Sequence, residues 1–308
     1  MSTPRLHDRR SRKPLALAIA AGLIIVAWIG CHNGSRDAGA LTSAGVTHLQ
    51  MRQYERAIRD FDRALALQPG LVVAWRQRAL AYRSKGDYER ALADFEQAIL
   101  LAPSDARLYT DRGVAYELLG DYASAIRDFN RAIAFKPNHA SAIEGRGRTY
   151  FYLGNFAQAA ADLQRGLALD SADVYGALWL HLARQRLRQD DSDDFAAHAA
   201  LADSTRWPEP IVRYLRGGFG ADSLRALAAA AEVAGQGPRC AVSFYLGEEA
   251  LLGGQTDSAR SLFEETRTTC PKELHEHRAA VAELQRIARS PVLTERSDST
   301  GTSSAKSR

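Results

Sequence analysis

The stretch GDYERALADFEQAILLAP at residues 86–103 returns 34 residues later as GDYASAIRDFNRAIAFKP at 120–137. Glycine, acid, aromatic, alanine, phenylalanine, alanine and proline recur in the same places. The frame extends both ways, through Tyr54, Ala57, Phe61, Ala64 and Pro69 upstream and Phe156, Ala159, Leu163, Gly166 and Ser171 downstream. Each unit also carries a small residue twelve positions before its first shared alanine: Gly45, Ala79, Gly113 and Gly147. A fixed period of this length marks stacked helical hairpins, none of which buries its apolar face without neighbours.

The residue types fit that geometry. Small residues let the two helices of a hairpin approach to about 8–10 Å, and aromatics fill the space between hairpins. Gly86-Asp87-Tyr88, Gly120-Asp121-Tyr122 and Gly154-Asn155-Phe156 read as turns within each unit. There glycine accepts a left-handed backbone and Asp or Asn caps the next helix. With these residues in this order the chain resembles the tetratricopeptide-repeat proteins. The resemblance implies an all-α helical-hairpin solenoid whose concave surface binds other polypeptides and supplies no chemistry of its own.

The N-terminus bears on compartment. Arg5, Arg9, Arg10, Arg12 and Lys13 precede an uncharged run from Leu15 to Gly30, and Cys31 follows. A basic start, a short apolar run and a small residue before the break read as an export signal. Ile29-Gly30-Cys31 resembles the end of a bacterial lipobox, with Trp28 where such boxes usually place leucine. Three readings stay open: a lipoprotein lipidated at Cys31, an uncleaved signal anchor, and a plain cleaved signal. All three put the repeats on the far side of the membrane from the basic flank. Of 40 basic and 36 acidic residues, 1–31 hold five and one, which leaves 35 of each. That balance lacks the clustered basic surface a nucleic acid requires.

Beyond Asp170 the strict repeat lapses. Residues 174–201 read as two helices, Ala177 to Leu187 and Asp194 to Leu201, and 208–217 and 221–234 as two short ones. Phe244, Tyr245, Gly247, Gly254, Ala259, Phe263 and Pro271 regain the register, so 240–271 is a fifth, degenerate hairpin. Helix 273–289 is expected to cap it, with Glu276, Arg278, Glu283 and Arg286 outward and Ala279, Val281, Leu284 and Ile287 inward. The divisions are then 1–31 signal or anchor, 32–37 linker, 38–171 four regular repeats, 172–239 an irregular helical middle, 240–289 the degenerate hairpin with its capping helix, and 290–308 a disordered tail.

YGALWLHLARQ at 175–185, WPEPIVRYLRG at 207–217 and FYLGE at 244–248 resemble the corresponding stretches of NlpI-type lipoproteins, envelope tetratricopeptide proteins of Gram-negative bacteria. That resemblance implies an adaptor, usually homodimeric, that brings peptidoglycan-cleaving enzymes and a protease together.

Few other residues point to chemistry. Cys240 and Cys270 sit where the start of one helix lies beside the end of its partner, and an exported context favours a disulfide between them over two separate thiols. His275-Glu276-His277 reads as a polar helix start rather than a metal site, since helix neighbours two apart diverge. Nucleophile and zinc-protease motifs are absent from the sequence. Repeat register puts Arg76, Leu80, Arg83, Arg107, Asp111, Val114, Glu117, Arg148 and Phe151 along a concave groove suited to an apolar and acidic peptide. Thr42, Val46 and Gln77 stand where a clamp for a terminal carboxylate would need Lys and Asn. The expectation is a non-enzymatic, cofactor-free envelope adaptor, tethered by an N-terminal lipid or anchor and open to homodimerisation. Its expected partners are peptidoglycan hydrolases or their regulating protease; a scaffold for envelope or secretion complexes is the alternative.

Overall fold

The computed structural model describes residues 36–201, 207–231 and 237–289. The signal or anchor with Cys31, and the tail 290–308, lie outside them. Among the described residues all regular structure is helical, and no helix is long and apolar enough to cross a membrane. The chain divides into two compact units, one ending at Pro103 and one beginning at Ser104.

The first unit holds two hairpins: α1 (36–50) with α2 (Tyr54–Leu67), and α3 (Val72–Lys85) with α4 (Tyr88–Leu101). Phe61 and Phe95 are fully buried. Glycine is needed at position 45 because a Cβ there would lie 2.6 Å from the Phe61 ring. Gly86 ends α3 at φ +84°, and the Asp87 carboxylate accepts the Arg90 amide to start α4. Arg78 straddles the second hairpin, donating to both Asp94 oxygens at 2.7 and 2.8 Å and reaching Asp62 of α2 at 2.5 Å.

The second unit opens with two hairpins of the same build: α5 (Ala106–Leu119) with α6 (Tyr122–Phe135), and α7 (Ala140–Tyr152) with α8 (Phe156–Leu169). Arg112 grips Asp128, and Arg146 grips Asp162, in the same two-pronged way. Then come α9 (Val174–Arg186), α10 (Ser192–Ala199), α11 (Glu209–Leu215) and α12 (Ala221–Ala231). The hairpin of α13 (Gly237–Leu252) and α14 (Thr256–Thr269) follows, and α15 (His275–Arg289) ends the described chain. Gly247 meets Phe263 as Gly45 meets Phe61, a Cβ there falling 2.6 Å from the ring. Cys240 and Cys270 form a disulfide with their Cα atoms 5.1 Å apart.

One core joins the regular and irregular parts of this unit. Trp179, 1% exposed, stands edge-on to Phe151 at 5.2 Å and to Tyr152 at 6.0 Å, and lies 5.5 Å from Phe244. Helix α15 packs against α14 and α13 and also returns to α7. It is therefore not a solvated cap. Glu276 and Arg278 are each 5% exposed and Glu283 is 1% exposed, which corrects the expectation that they point outward. Ala279 and Ile287 are buried, as the apolar pattern requires; Arg286 is half-buried.

Candidate functional site

Within the second unit α5, α7 and α9 pack side by side, and α15 lies over α7. Polar contacts hold it there. Arg286 donates to the carbonyls of Phe151 and Tyr152, at 3.4 and 3.2 Å, where α7 ends. The Tyr152 hydroxyl lies 3.1 Å from His275 Nδ1, and Arg278 donates to the same nitrogen at 2.6 Å. A guanidinium only donates, so Nδ1 is the acceptor and the ring proton sits on Nε2. Burial, followed by the charges of Arg148 and Arg278, holds His275 well below the usual histidine range. His275 is thus neutral and partly buried, and it is the first residue of α15, as its reading as a polar helix start expects. Among the described residues, no group of three His, Cys, Asp or Glu side chains could hold a metal ion.

A second polar cluster lies between α9, α13 and α15. Arg186 donates to Glu248 at 2.9 Å and to Glu283 at 3.1 Å, and Arg286 bonds Glu283 from the other side. Glu248 is fully buried, and burial together with the Glu283 charge pushes its carboxyl up to about 8, against the pull of Arg186. Arg186 is the guanidinium both carboxylates share, and Glu283 has Arg286 besides, so burial and the Glu283 charge favour the protonated form at Glu248.

Beside α15 opens a cavity of about 860 Å³. Its carboxylates are Glu144 of α7, Asp170 and Asp173 from the loop into α9, and Glu276 of α15. Arg148, one turn along α7 from Glu144, and the neutral His275, next to Glu276, line it too, and Tyr175, Trp179, Trp207, Ala241 and Leu274 supply apolar wall. Glycines make room for two of the acids. A Cβ at Gly166 would fall 2.8 Å from Glu144 Cγ, and one at Gly176 would collide with the Asp173 carboxylate. Burial, then the Asp173 charge, raises the Glu144 pKa; burial does the same to Glu276. Among the described residues the Arg148 Nε and Trp179 Nε1 protons have no hydrogen-bond partner.

The nine residues assigned to a groove are distributed differently. Arg76, Leu80 and Arg83 lie half-buried on α3 in the first unit. In the second, Arg107 is exposed and tied to Asp105 at 2.8 Å, while Asp111 and Val114 are half-buried on α5. Glu117 and Phe151 are not groove-lining: they are 0% and 1% exposed. The Thr149 hydroxyl donates to Glu117 at 2.5 Å, and Phe151 is enclosed by Phe156 and Trp179. Arg148 alone of the nine lines the cavity. The other lining residues were missed because they come from four separate helices, although the acids Asp170 and Asp173 flanking the α9 start were visible in the sequence.

One arrangement resembles a catalytic pair. His181 Nδ1 lies 3.0 Å from Asp191, with its ring stacked on Phe195 at 4.2 Å. Among the described residues no hydroxyl or thiol is bonded to its far nitrogen, and the Ser192 hydroxyl is bonded to Asp190 at 2.7 Å. This pair anchors α10 to α9.

Fold and site together define a helical-repeat protein with an open cavity lined by four acids. Its repeats are of a known kind: the family described as tetratricopeptide repeat matches residues 44–100 and 81–138, and a second family of the same description matches 140–173. Residues 44–138 and 140–173 therefore carry tetratricopeptide repeats. No curated protein sequence matches it. Among solved structures it is similar to a tetratricopeptide repeat protein from Parabacteroides merdae, with a TM-score of 0.52 at 15% identity over 80% of this chain and 99% of that one. It is also similar to Pseudomonas aeruginosa pilF, with a TM-score of 0.51 at 16% identity over 82% and 99%. At these identities the likeness is one of fold.

Proposed function

We propose that this protein is a non-enzymatic adaptor of the cell envelope that holds partner polypeptides on its repeat surfaces. The observation that carries this reading is a hairpin-repeat scaffold that walls a peptide-sized cavity of about 860 Å³ with aromatic and acidic side chains. Tetratricopeptide arrays expose curved surfaces of packed helices, and such surfaces take extended or helical segments of other proteins. The basic N-terminal flank, the uncharged run to Gly30 and Cys31 support export and tethering, through a lipid on Cys31 or through the apolar segment itself. The resemblance of 175–185, 207–217 and 244–248 to NlpI-type lipoproteins supports peptidoglycan hydrolases and a regulating protease as clients.

Two experiments test this. Full-length protein, captured after crosslinking in intact cells, should bring down a cell-wall hydrolase or a protease. Recovery of assembly or secretion machinery alone would favour the scaffold alternative, and recovery of neither would overturn the adaptor reading. Metabolic labelling with a radioactive fatty acid should mark the wild type and not Cys31→Ser; equal labelling of both would overturn lipidation at that thiol.

A further inference from the structure

We infer that the cavity between α7, α9, α13 and α15 takes one basic side chain, arginine or lysine, from a partner polypeptide, with Glu276 and Asp173 as its counter-charges and Trp179 as its apolar wall. The inference rests on the adaptor reading above and names what one of its sites recognises.

Charge decides the sign of the occupant. Four carboxylates line the cavity against the single guanidinium of Arg148. His275 adds no positive charge, because its Nδ1 accepts from Arg278. An acidic peptide entering here would meet like charge on most sides, whereas a cation meets an acid on each of three helices or their leading loops.

The acids are also available. Asp87, Asp105 and Asp121 spend their carboxylates capping the helices they precede. Asp173 precedes α9 in the same way and makes no side-chain capping bond. Glu276 is 5% exposed, accepts its own backbone amide, and has two guanidinium charges near it, those of Arg278 and Arg148. Arg278 is spent on the carbonyls of Lys272 and Glu273 and on His275. Trp179 lines the cavity at 1% exposure with its indole N–H unpartnered among the described residues. That donor is free to meet a carbonyl of the entering chain, and aromatic faces attract guanidinium and ammonium groups.

Size agrees. About 860 Å³ falls within the ~300–1,000 Å³ usual for small-ligand sites. It accommodates a long basic side chain and the residues flanking it. Gly166 and Gly176 give Glu144 and Asp173 the room they occupy, since a Cβ at either position would collide with the acid.

The test uses the full-length chain in nonionic detergent and three fluorescein-labelled peptides, acetyl-GSLXLSG-amide, with X as arginine, its uncharged isostere citrulline, or glutamate. Fluorescence anisotropy should show the arginine peptide binding at least tenfold more tightly than citrulline, and the glutamate peptide weakest. Glu276→Gln and Asp173→Asn should each lose at least tenfold for arginine while leaving the citrulline peptide unchanged, and Arg148→Gln should tighten arginine. Thermal melts of each variant identify loss of folding, and the arginine-to-citrulline comparison in the wild type needs no variant at all. Equal binding of those two peptides, preference for glutamate, or no arginine-peptide binding up to about 1 mM, the weak end of specific affinity, would overturn the inference. Client capture separates the two levels. If an Asp173→Asn, Glu276→Gln double variant still recovers clients in full, the cavity assignment falls and the adaptor reading stands. If the arginine peptide binds as expected but no client is ever captured, the adaptor reading falls and the cavity assignment stands.

Discussion

The hairpins α5–α8 and the segment α9–α15 belong to one compact unit yet place their charges by opposite rules. In the regular hairpins the ion pair that joins the two helices spans sixteen residues, as in Arg112–Asp128 and Arg146–Asp162, and these two arginine side chains each keep 19% of their surface in water. In the later segment Arg186 reaches 62 residues to Glu248 and 97 to Glu283, and both acids are at most 1% exposed. Local pairs reinforce hairpins that packing already defines. Remote, dry pairs cost desolvation, and what they supply is position: they fix where α15 sits on α7 and α9.

Removing Arg186 tests that contrast with the largest expected effect. Arg186→Ala leaves the enclosed Glu248 without its guanidinium and Glu283 with Arg286 alone, and should cost about 3–5 kcal/mol. Arg112→Ala, whose pair is partly solvated, should cost about 2 kcal/mol. Urea unfolding of both variants measures the difference; equal losses would erase the distinction between wet and dry pairs. Next in size, replacing Cys240 and Cys270 together with serine opens a closed loop of 30 residues, and the chain-entropy relation gives about 3–4 kcal/mol for such a loop. That loss should match the loss on reducing the wild type.

Glycine packing should not distinguish the two regions. A Cβ at Gly113 would meet Phe129 at 2.8 Å and one at Gly247 would meet Phe263 at 2.6 Å. Gly113→Ala and Gly247→Ala should therefore each cost about 1–3 kcal/mol. A cost at one site and none at the other would break the equivalence of the degenerate hairpin with the regular ones.

The smallest effect is a pH slope that Glu248 gives the later segment. The Glu248 pKa rises on folding from 4.5 to about 8. The folded state therefore binds its proton more tightly, and the stability gained is full below 4.5 and lost as pH rises through about 8. His275, His139 and His277 are lowered on folding from 6.5, so their contributions are present above 6.5 and are lost as pH falls. Between pH 6.5 and 8 the Glu248 slope is unopposed by them. The melting temperature of the wild type should fall over that window, and that of Glu248→Gln should stay level. A wild-type curve flat from 6.5 to 8 would contradict the protonated Glu248.

Much of the fold was legible because its determinants are close in sequence. Gly45 and Phe61, or Gly86 and Asp87, act within one hairpin, and the 34-residue period exposes them. The same period carries Arg78, Arg112 and Arg146 opposite Asp94, Asp128 and Asp162, a regularity visible in the sequence. Helix α15 was legible as a helix and misread as to its faces. Its apolar stripe located Ala279 and Ile287 correctly, but periodicity alone does not reveal that the charged side meets Tyr152, over a hundred residues away. The cavity was opaque for the same reason, since Glu144, Asp173 and Glu276 converge only once α15 has folded back.

Amide hydrogen exchange along α15 in the full-length chain tests that return most directly. If α15 is seated on α7 and α9 as part of their core, its central amides, around Ala279 to Glu283, should exchange as slowly as those of α9 around Trp179. Exchange there orders of magnitude faster than in α9, at the rate of a fraying chain end, would contradict it.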